Sequence, residues 1–327
     1  MKNIKITSTG SYLPKEKVTD KELEEKLNLE KGYIKKRTGI EARYYVKDET
    51  IEEMAKKAVL NLMEKENKKD IDLIITATTT TNNLMPGISN YIQEKLEIEN
   101  AITLDILAGC SGYINALDIA RLYISGGIAK KTLVVGVDIL SKFIDKEDIG
   151  TAVVLSDGAG AILLEESEEE KMYFSQIDGN IDKNKILTCK SNEKIQMKGK
   201  EVYKYAVTKT VENINKLLEK ANLSLDDIKY IVPHQSNLKI INGITSRLKI
   251  DENKIYKNIK DVGNTFCGSL PIAINQMKKE NLLKNKDKII LLRLWRRSKY
   301  RKYFIRNINL RRNLWKEHFY FQGKDHK

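Results

Sequence analysis

Short apolar runs of strand character alternate with amphipathic helical stretches from residue 3 to residue 292, and the alternation begins afresh after the charged stretch 165–171. Such alternation is the pattern of an α/β fold. At 327 residues the chain is long enough for two domains or two fused halves,. We therefore expect one half over residues 1–165, a second over 166–292, and a tail over 293–327. In the first half the spacing predicts strands over 3–9, 72–77, 101–106 and 131–138. Thr19 with Glu22, and Thr50 with Glu53, have capping-box spacing, and Ile51, Met54, Ala58 and Leu62 form an apolar stripe behind the second box,. Pro86 is expected in the first turn of a helix ending at Leu96,. Residues 151–164 read as two strands around a Gly-rich turn. In the second half, strands are expected over 172–177, 227–232 and 288–292, and helices over 201–221 and 237–248.

Cys110 stands where the predicted strand 101–106 gives way to a predicted helix over 111–124. A thiol at a helix start meets unpaired backbone N–H groups and the positive end of the helix dipole, and both favour the nucleophilic thiolate. Far downstream lie His234, in Val232-Pro233-His234-Gln235-Ser236-Asn237, and Asn264, after Gly263. His234 is the sole histidine before residue 293, so any imidazole chemistry in the body of the chain belongs to it,. These residues read as an enzyme that carries an acyl group on Cys110, with the site between the halves. Cys189 and Cys267 read as ordinary residues without a chemical role, and the three cysteines show neither a disulfide framework nor zinc-ligand spacing,.

Charge excludes one class of function once it is located. The tail from Arg293 onward holds twelve of the 58 Lys and Arg and two of the 45 Asp and Glu, so it carries +10 of the net +13. The body is close to neutral, no recognition motif accompanies the tail, and a nucleic-acid module is not expected. No run approaches the roughly 18 apolar residues of a membrane span, and the first residues lack the apolar core of a signal peptide. A cytoplasmic protein with reduced thiols and no membrane partner is the expectation. The segment Asp157-Gly158-Ala159-Gly160-Ala161 lacks the Lys-Ser/Thr of a phosphate loop and reads as a tight turn,.

Six motifs stand in the order of one family: Arg37-Thr38-Gly39-Ile40, Cys110-Ser111-Gly112, Asp157-Gly158-Ala159-Gly160-Ala161, Gly199-Lys200-Glu201-Val202-Tyr203, Pro233-His234-Gln235-Ser236-Asn237 and Gly263-Asn264-Thr265. Over roughly residues 2–292 the chain resembles 3-oxoacyl-acyl carrier protein synthase III, a thiolase-fold condensing enzyme that initiates fatty acid synthesis. The resemblance implies a five-layered αβαβα subunit, a homodimer, and catalysis without a metal or redox cofactor. It implies that Cys110 takes an acyl group from acyl-CoA, and that neutral His234 and Asn264 stabilise the enolate formed when malonyl-acyl carrier protein loses CO₂. It further implies that Tyr33 and Arg37 hold the CoA nucleotide, that Met85 shapes the acyl pocket, and that Gly199, Lys200 and Asn237 line the substrate site. Lys239 and Arg247, eight residues apart on one predicted helix, are the expected patch for the acidic carrier protein. The alternatives are another thiolase-superfamily acyltransferase, of the specialised-metabolite or hydroxymethylglutaryl-CoA synthase type, a papain-like hydrolase with the same Cys, His, Asn order, and an inactive partner subunit.

The chain also departs from the family. Ile149 stands where many members have Arg, Tyr33 replaces a Trp, and Phe266-Cys267-Gly268 replaces a run of small residues. Family members close with a strand of the form Phe-Gly-Gly-Gly whose backbone N–H helps hold the thioester oxygen. Here the chain runs Leu294-Trp295-Arg296-Arg297-Ser298. A Leu codon CTT followed by TGG contains TTT-GG, which reads Phe-Gly one frame over, so the basic tail is read as the product of a frameshift near Arg293. His318-Phe319-Tyr320-Phe321-Gln322-Gly323 also loosely resembles a protease-cleavable tag site,.

Overall fold

The computed structural model describes residues 3–63, 70–81, 83–145, 148–168, 173–178, 182, 184–190, 193–285, 287–293 and 300–306. Its frame is two sheets. The first orders five strands as Asn3–Tyr12, Gly158–Ser167, Lys131–Asp138, Leu73–Thr78 and Ile102–Leu107, parallel among the last three and antiparallel at the other pairings. The second orders Tyr230–Pro233, Lys288–Leu292, Tyr300–Arg306 and Tyr173–Asp178.

Period-two alternation along these strands separates three cores. In the first sheet Leu73, Ile75, Ala77, Val134 and Ile162 face a central core, while Ile74, Leu133, Val135 and Leu163 face an outer one. In the second sheet Ile289 and Leu291 turn toward the same central core, and Ile290 and Leu292 toward the third. Helices Gly112–Ser125 and Ser269–Lys279 fill the space between the sheets, contacting strands of both. Helix Ile51–Met63 covers the free face of the first sheet with Ile88–Lys95, and Gly199–Ala221 covers that of the second with Leu238–Leu248. The five layers αβαβα expected from the resemblance are present. The tail contributes too, since Tyr300–Arg306 pairs on both sides within the second sheet. Residues 294–299 and 307–327, where the lost glycine motif and the tag-like sequence fall, lie outside the described residues.

Local signals work where neighbours dictate the conformation. At Thr19 and Glu22 the capping box forms, with the Thr19 N–H donating to Glu22 Oε2 at 2.7 Å, and the box of Thr50 and Glu53 forms likewise,. Pro86 precedes its helix, which starts at Ile88. The expected pair of strands around a glycine turn is instead a single turn of helix, Ile149–Ala152, followed by one strand, Gly158–Ser167. The reason is close packing. A side chain at Gly160 would put its Cβ 2.8 Å from Pro271 Cβ and from the Ile272 nitrogen. Glycine there admits the helix Ser269–Lys279 against the strand.

Candidate active site

The strand Ile102–Leu107 delivers the chain to a turn in which Gly109 takes φ +56°. Cys110 follows within the short 3₁₀ turn Gly109–Ser111, directly before the helix Gly112–Ser125. The turn is braced from the other half of the chain. Cys267 donates its S–H to the Gly109 carbonyl at 3.2 Å, and its own N–H donates to Asp138 Oδ2 at 2.9 Å. Asp138, at the end of its strand, also accepts from the Thr79 N–H at 2.6 Å and from the Thr78 and Thr80 hydroxyls at 3.1 Å. Burial pushes this carboxyl up to about 6, against the pull of those hydrogen bonds,.

The expected thiolate is not what this environment favours. Cys110 is buried, and burial pushes its thiol up to about 12, with the Asp138 charge adding to the rise and the Arg293 charge opposing it. Desolvation outweighs the helix start because a buried sulfur gives up the hydration that a thiolate needs. The resting group is a thiol.

His234 leaves the carboxyl end of Tyr230–Pro233, and its N–H donates to the Leu292 carbonyl at 2.7 Å. The imidazole is buried, and neither ring nitrogen has a hydrogen-bond partner among the described residues. Burial, with the Arg293 charge beside it, drops its pKa to about 3, so the ring is neutral and presents one N–H donor,. Asn264 follows Gly263, whose φ of +73° only glycine adopts without strain,. The Asn264 N–H donates to Val154 O at 3.0 Å, its carbonyl accepts from the Ser156 N–H at 2.9 Å, and its side-chain Oδ1 accepts from the Phe266 N–H at 3.2 Å. That last bond engages the oxygen of the amide, whose other end is an NH₂ donor,. Gln235 couples the two residues. Its Nε2 donates to Pro233 O at 2.7 Å and Tyr256 O at 3.2 Å, and its Oε1 accepts from the N–H groups of Asn258 at 3.0 Å and Ile259 at 3.1 Å.

Cys110, His234 and Asn264 line one cavity of about 550 Å³. Tyr33, Arg37, Gly199, Lys200, Asn237, Lys239 and Ile149 line it as well, so most residues singled out by sequence meet here. The Arg37 guanidinium stacks on the Tyr33 ring, 4.5 Å from its centre, and Arg37, Lys200 and Lys239 are exposed. Asn237 also serves its own helix, since its Oδ1 accepts from the Lys239 N–H at 2.9 Å and caps Leu238–Leu248,. Two expected residues lie elsewhere. Met85 is 90% exposed and does not line the cavity, because the segment before Ile88 lies at the surface. Arg247 sits two turns beyond Lys239 on the same helix, outside the cavity, and donates to Thr208 Oγ1 at 2.8 Å. Asp138, Cys267 and Phe266 were not singled out as site residues. An acidic residue closing an apolar strand is the signal for the first, and the replacement of a small-residue run by Phe266-Cys267-Gly268 is the signal for the other two.

Residues 104–180 match the family 3-Oxoacyl-[acyl-carrier-protein (ACP)] synthase III, and residues 218–293 match the C-terminal part of the same family. The beta-ketoacyl-[acyl-carrier-protein] synthase III of Clostridium tetani is 38% identical over 315 residues, spanning 89% of this chain and 94% of that protein. The chain belongs to the beta-ketoacyl-[acyl-carrier-protein] synthase III family. Crystal structures of synthase III enzymes agree with its fold: that from Aquifex aeolicus superposes with a TM-score of 0.89 at 35% identity, covering 93% of this chain and all of that one. The Thermus thermophilus synthase III gives 0.87 at 30% identity, covering 92% and 98%. As a synthase III family member the chain keeps the Cys, His, Asn set in one cavity, and a papain-like fold is ruled out.

Proposed function

We propose that the protein condenses an acyl-CoA primer with malonyl-acyl carrier protein through an acyl-Cys110 intermediate, the initiating step of fatty acid synthesis. The observation that carries this reading is that Cys110, His234 and Asn264, 154 residues apart at the extremes, share one cavity with the exposed cations Arg37, Lys200 and Lys239. In the first half-reaction the Cys110 sulfur attacks the thioester carbonyl. The new C–S bond replaces the one to CoA, and the thiol proton ends on the departing CoA sulfur. In the second, the malonyl C–CO₂ bond breaks and an enolate forms, whose oxygen takes hydrogen bonds from the neutral His234 N–H and the Asn264 amide. The enolate carbon then attacks the acyl-Cys110 carbonyl, a C–C bond forms, and the sulfur leaves and is reprotonated.

The buried imidazole supports this assignment. A buried donor without a partner among the described residues is costly unless the reacting molecule satisfies it,. At the mouth, Arg37 and Lys200 suit the phosphates of CoA and Tyr33 offers its base a stacking face. Lys239 with Arg247 suits an acidic carrier protein. A homodimer is supported by the edge strand Ile102–Leu107, which pairs on one side only and leaves Ile102 42% and Leu107 64% exposed. An open apolar edge is normally covered. No described helix is long and apolar enough to cross a membrane, and all three cysteines are free, which fits the cytoplasm,. No cofactor enters the proposed steps.

The test is mass spectrometry of the intact protein after exposure to acetyl-CoA. A gain of one acetyl group, absent in Cys110→Ala, followed by its loss and formation of 3-oxobutyryl product on adding malonyl-acyl carrier protein, is expected. Acylation elsewhere, or none, overturns the reading.

A further inference from the structure

Phe266 lines the cavity beside His234 and takes no part in the proposed chemistry. It lies two residues beyond Asn264, is 7% exposed, and faces the same space as Cys110, His234 and Asn264. Its φ of +42° holds an aromatic residue in the left-handed region, a strained conformation that persists where the surroundings over-determine it,. Its backbone N–H orients Asn264, but any residue other than proline would supply that bond,. The ring therefore needs its own explanation. It stands T-shaped to the His234 imidazole, with centroids 6.5 Å apart and planes at 68°. An aromatic side chain thus lines the cavity beside His234 where a small one would leave room.

We propose that the Phe266 ring is the specificity-determining element that limits the acyl group on Cys110 to a few carbons, by filling the space a longer chain would enter. The inference rests on the acyl-transfer reading above and extends it to the class of primer, a short acyl thioester. The nearby lining includes Val153, Val154 and Leu155, so space opened by removing the ring adjoins apolar walls and suits methylene groups,.

The experiment exposes wild type, Phe266→Ala and Phe266→Leu to an equimolar mixture of acetyl-, butyryl-, hexanoyl- and octanoyl-CoA and reads the masses on Cys110. Wild type is expected to carry acetyl and butyryl groups. In Phe266→Ala the ratio of hexanoyl and octanoyl to acetyl rises roughly tenfold or more, the lower scale on which an apolar pocket discriminates one methylene. Phe266→Leu, which keeps apolar bulk without the ring, falls between, and it supplies the ratio should the alanine variant fail to fold. An unchanged ratio in the folded variants, or a wild type that takes octanoyl as readily as acetyl, overturns the inference while leaving acyl transfer intact. A wild type acylated by none of the four overturns both.

Discussion

Replacing Gln235 by Leu removes the clamp between the histidine strand and the loop that carries Asn264, with little change in side-chain length. The Gln235 side chain is fully buried and makes four hydrogen bonds, donating to the Pro233 and Tyr256 carbonyls and accepting from the Asn258 and Ile259 N–H groups. Leucine leaves the two N–H groups without that acceptor. An unsatisfied buried group costs about 1–3 kcal/mol, and carbonyls tolerate the loss better than N–H groups, so the variant is expected to lose about 3–5 kcal/mol. In a protein of this size that corresponds to a fall on the order of 5–10 °C in the thermal midpoint. The chemistry should suffer selectively. Release of the segment 256–264 lets Asn264 drift, and a displacement of about 1 Å at a reacting centre can cost ~10²-fold. Acylation of Cys110, which does not use Asn264 in the proposed steps, should persist at near wild-type rate, while condensation with malonyl-acyl carrier protein drops at least roughly tenfold. Thermal melting followed by circular dichroism, with the two half-reactions timed separately, measures all three quantities. A melting point within about 2 °C of wild type together with unchanged condensation would refute the clamp.

His234, with its folded pKa near 3 against an ordinary value of 6.5, binds fewer protons folded than unfolded, so its contribution to stability is whole above about pH 6.5 and lost progressively as pH falls toward 3,. His234→Gln should flatten that acid limb in urea titrations at several pH values, and the wild-type condensation rate should show no inflection near pH 6.5. Asp138→Asn removes a negative charge that raises the Cys110 thiol, so the pH profile of iodoacetamide alkylation at Cys110 should move to lower pH; movement upward contradicts the assignment,. Restoring the family's closing motif with Trp295→Phe, Arg296→Gly, Arg297→Gly and Ser298→Gly together should raise turnover by ~10²–10³, the usual worth of one oxyanion donor, and an unchanged rate argues that the glycine segment is dispensable here.

Local rules and the six motifs made the strands, most helices and the meeting of Cys110, His234 and Asn264 in one cavity legible in the sequence. Lys131–Asp138 and Lys288–Leu292 were expected with the bounds they have, because an uninterrupted apolar run between charged residues admits few other readings,. What stayed illegible depends on partners distant in the chain. Gly158 and Gly160 look like turn residues until a helix about 110 residues later packs on them. Asn237 reads in sequence as a substrate-site residue, and its second task, capping the helix Leu238–Leu248, shows only in the fold. Cys267 looks inert until it is found bracing the turn of Cys110, 157 residues earlier. The charge state of Cys110 belongs to the same group, since a helix start is visible in sequence and the burial that overrides it is not.

Cys110 and His234 are both held uncharged at rest. Burial raises the thiol and lowers the imidazole, so the two directions together oppose a resting thiolate–imidazolium pair,. Charge therefore develops at Cys110 as the thioester carbonyl is engaged. In the proposed second half-reaction the same burial strengthens the hydrogen bonds that His234 and Asn264 offer the enolate, since donors in a low-dielectric setting are worth more than in water,. Burial suppresses the nucleophile in the first half-reaction and amplifies the donors in the second, and Arg293, whose charge opposes the rise at Cys110 while lowering His234, favours both steps together.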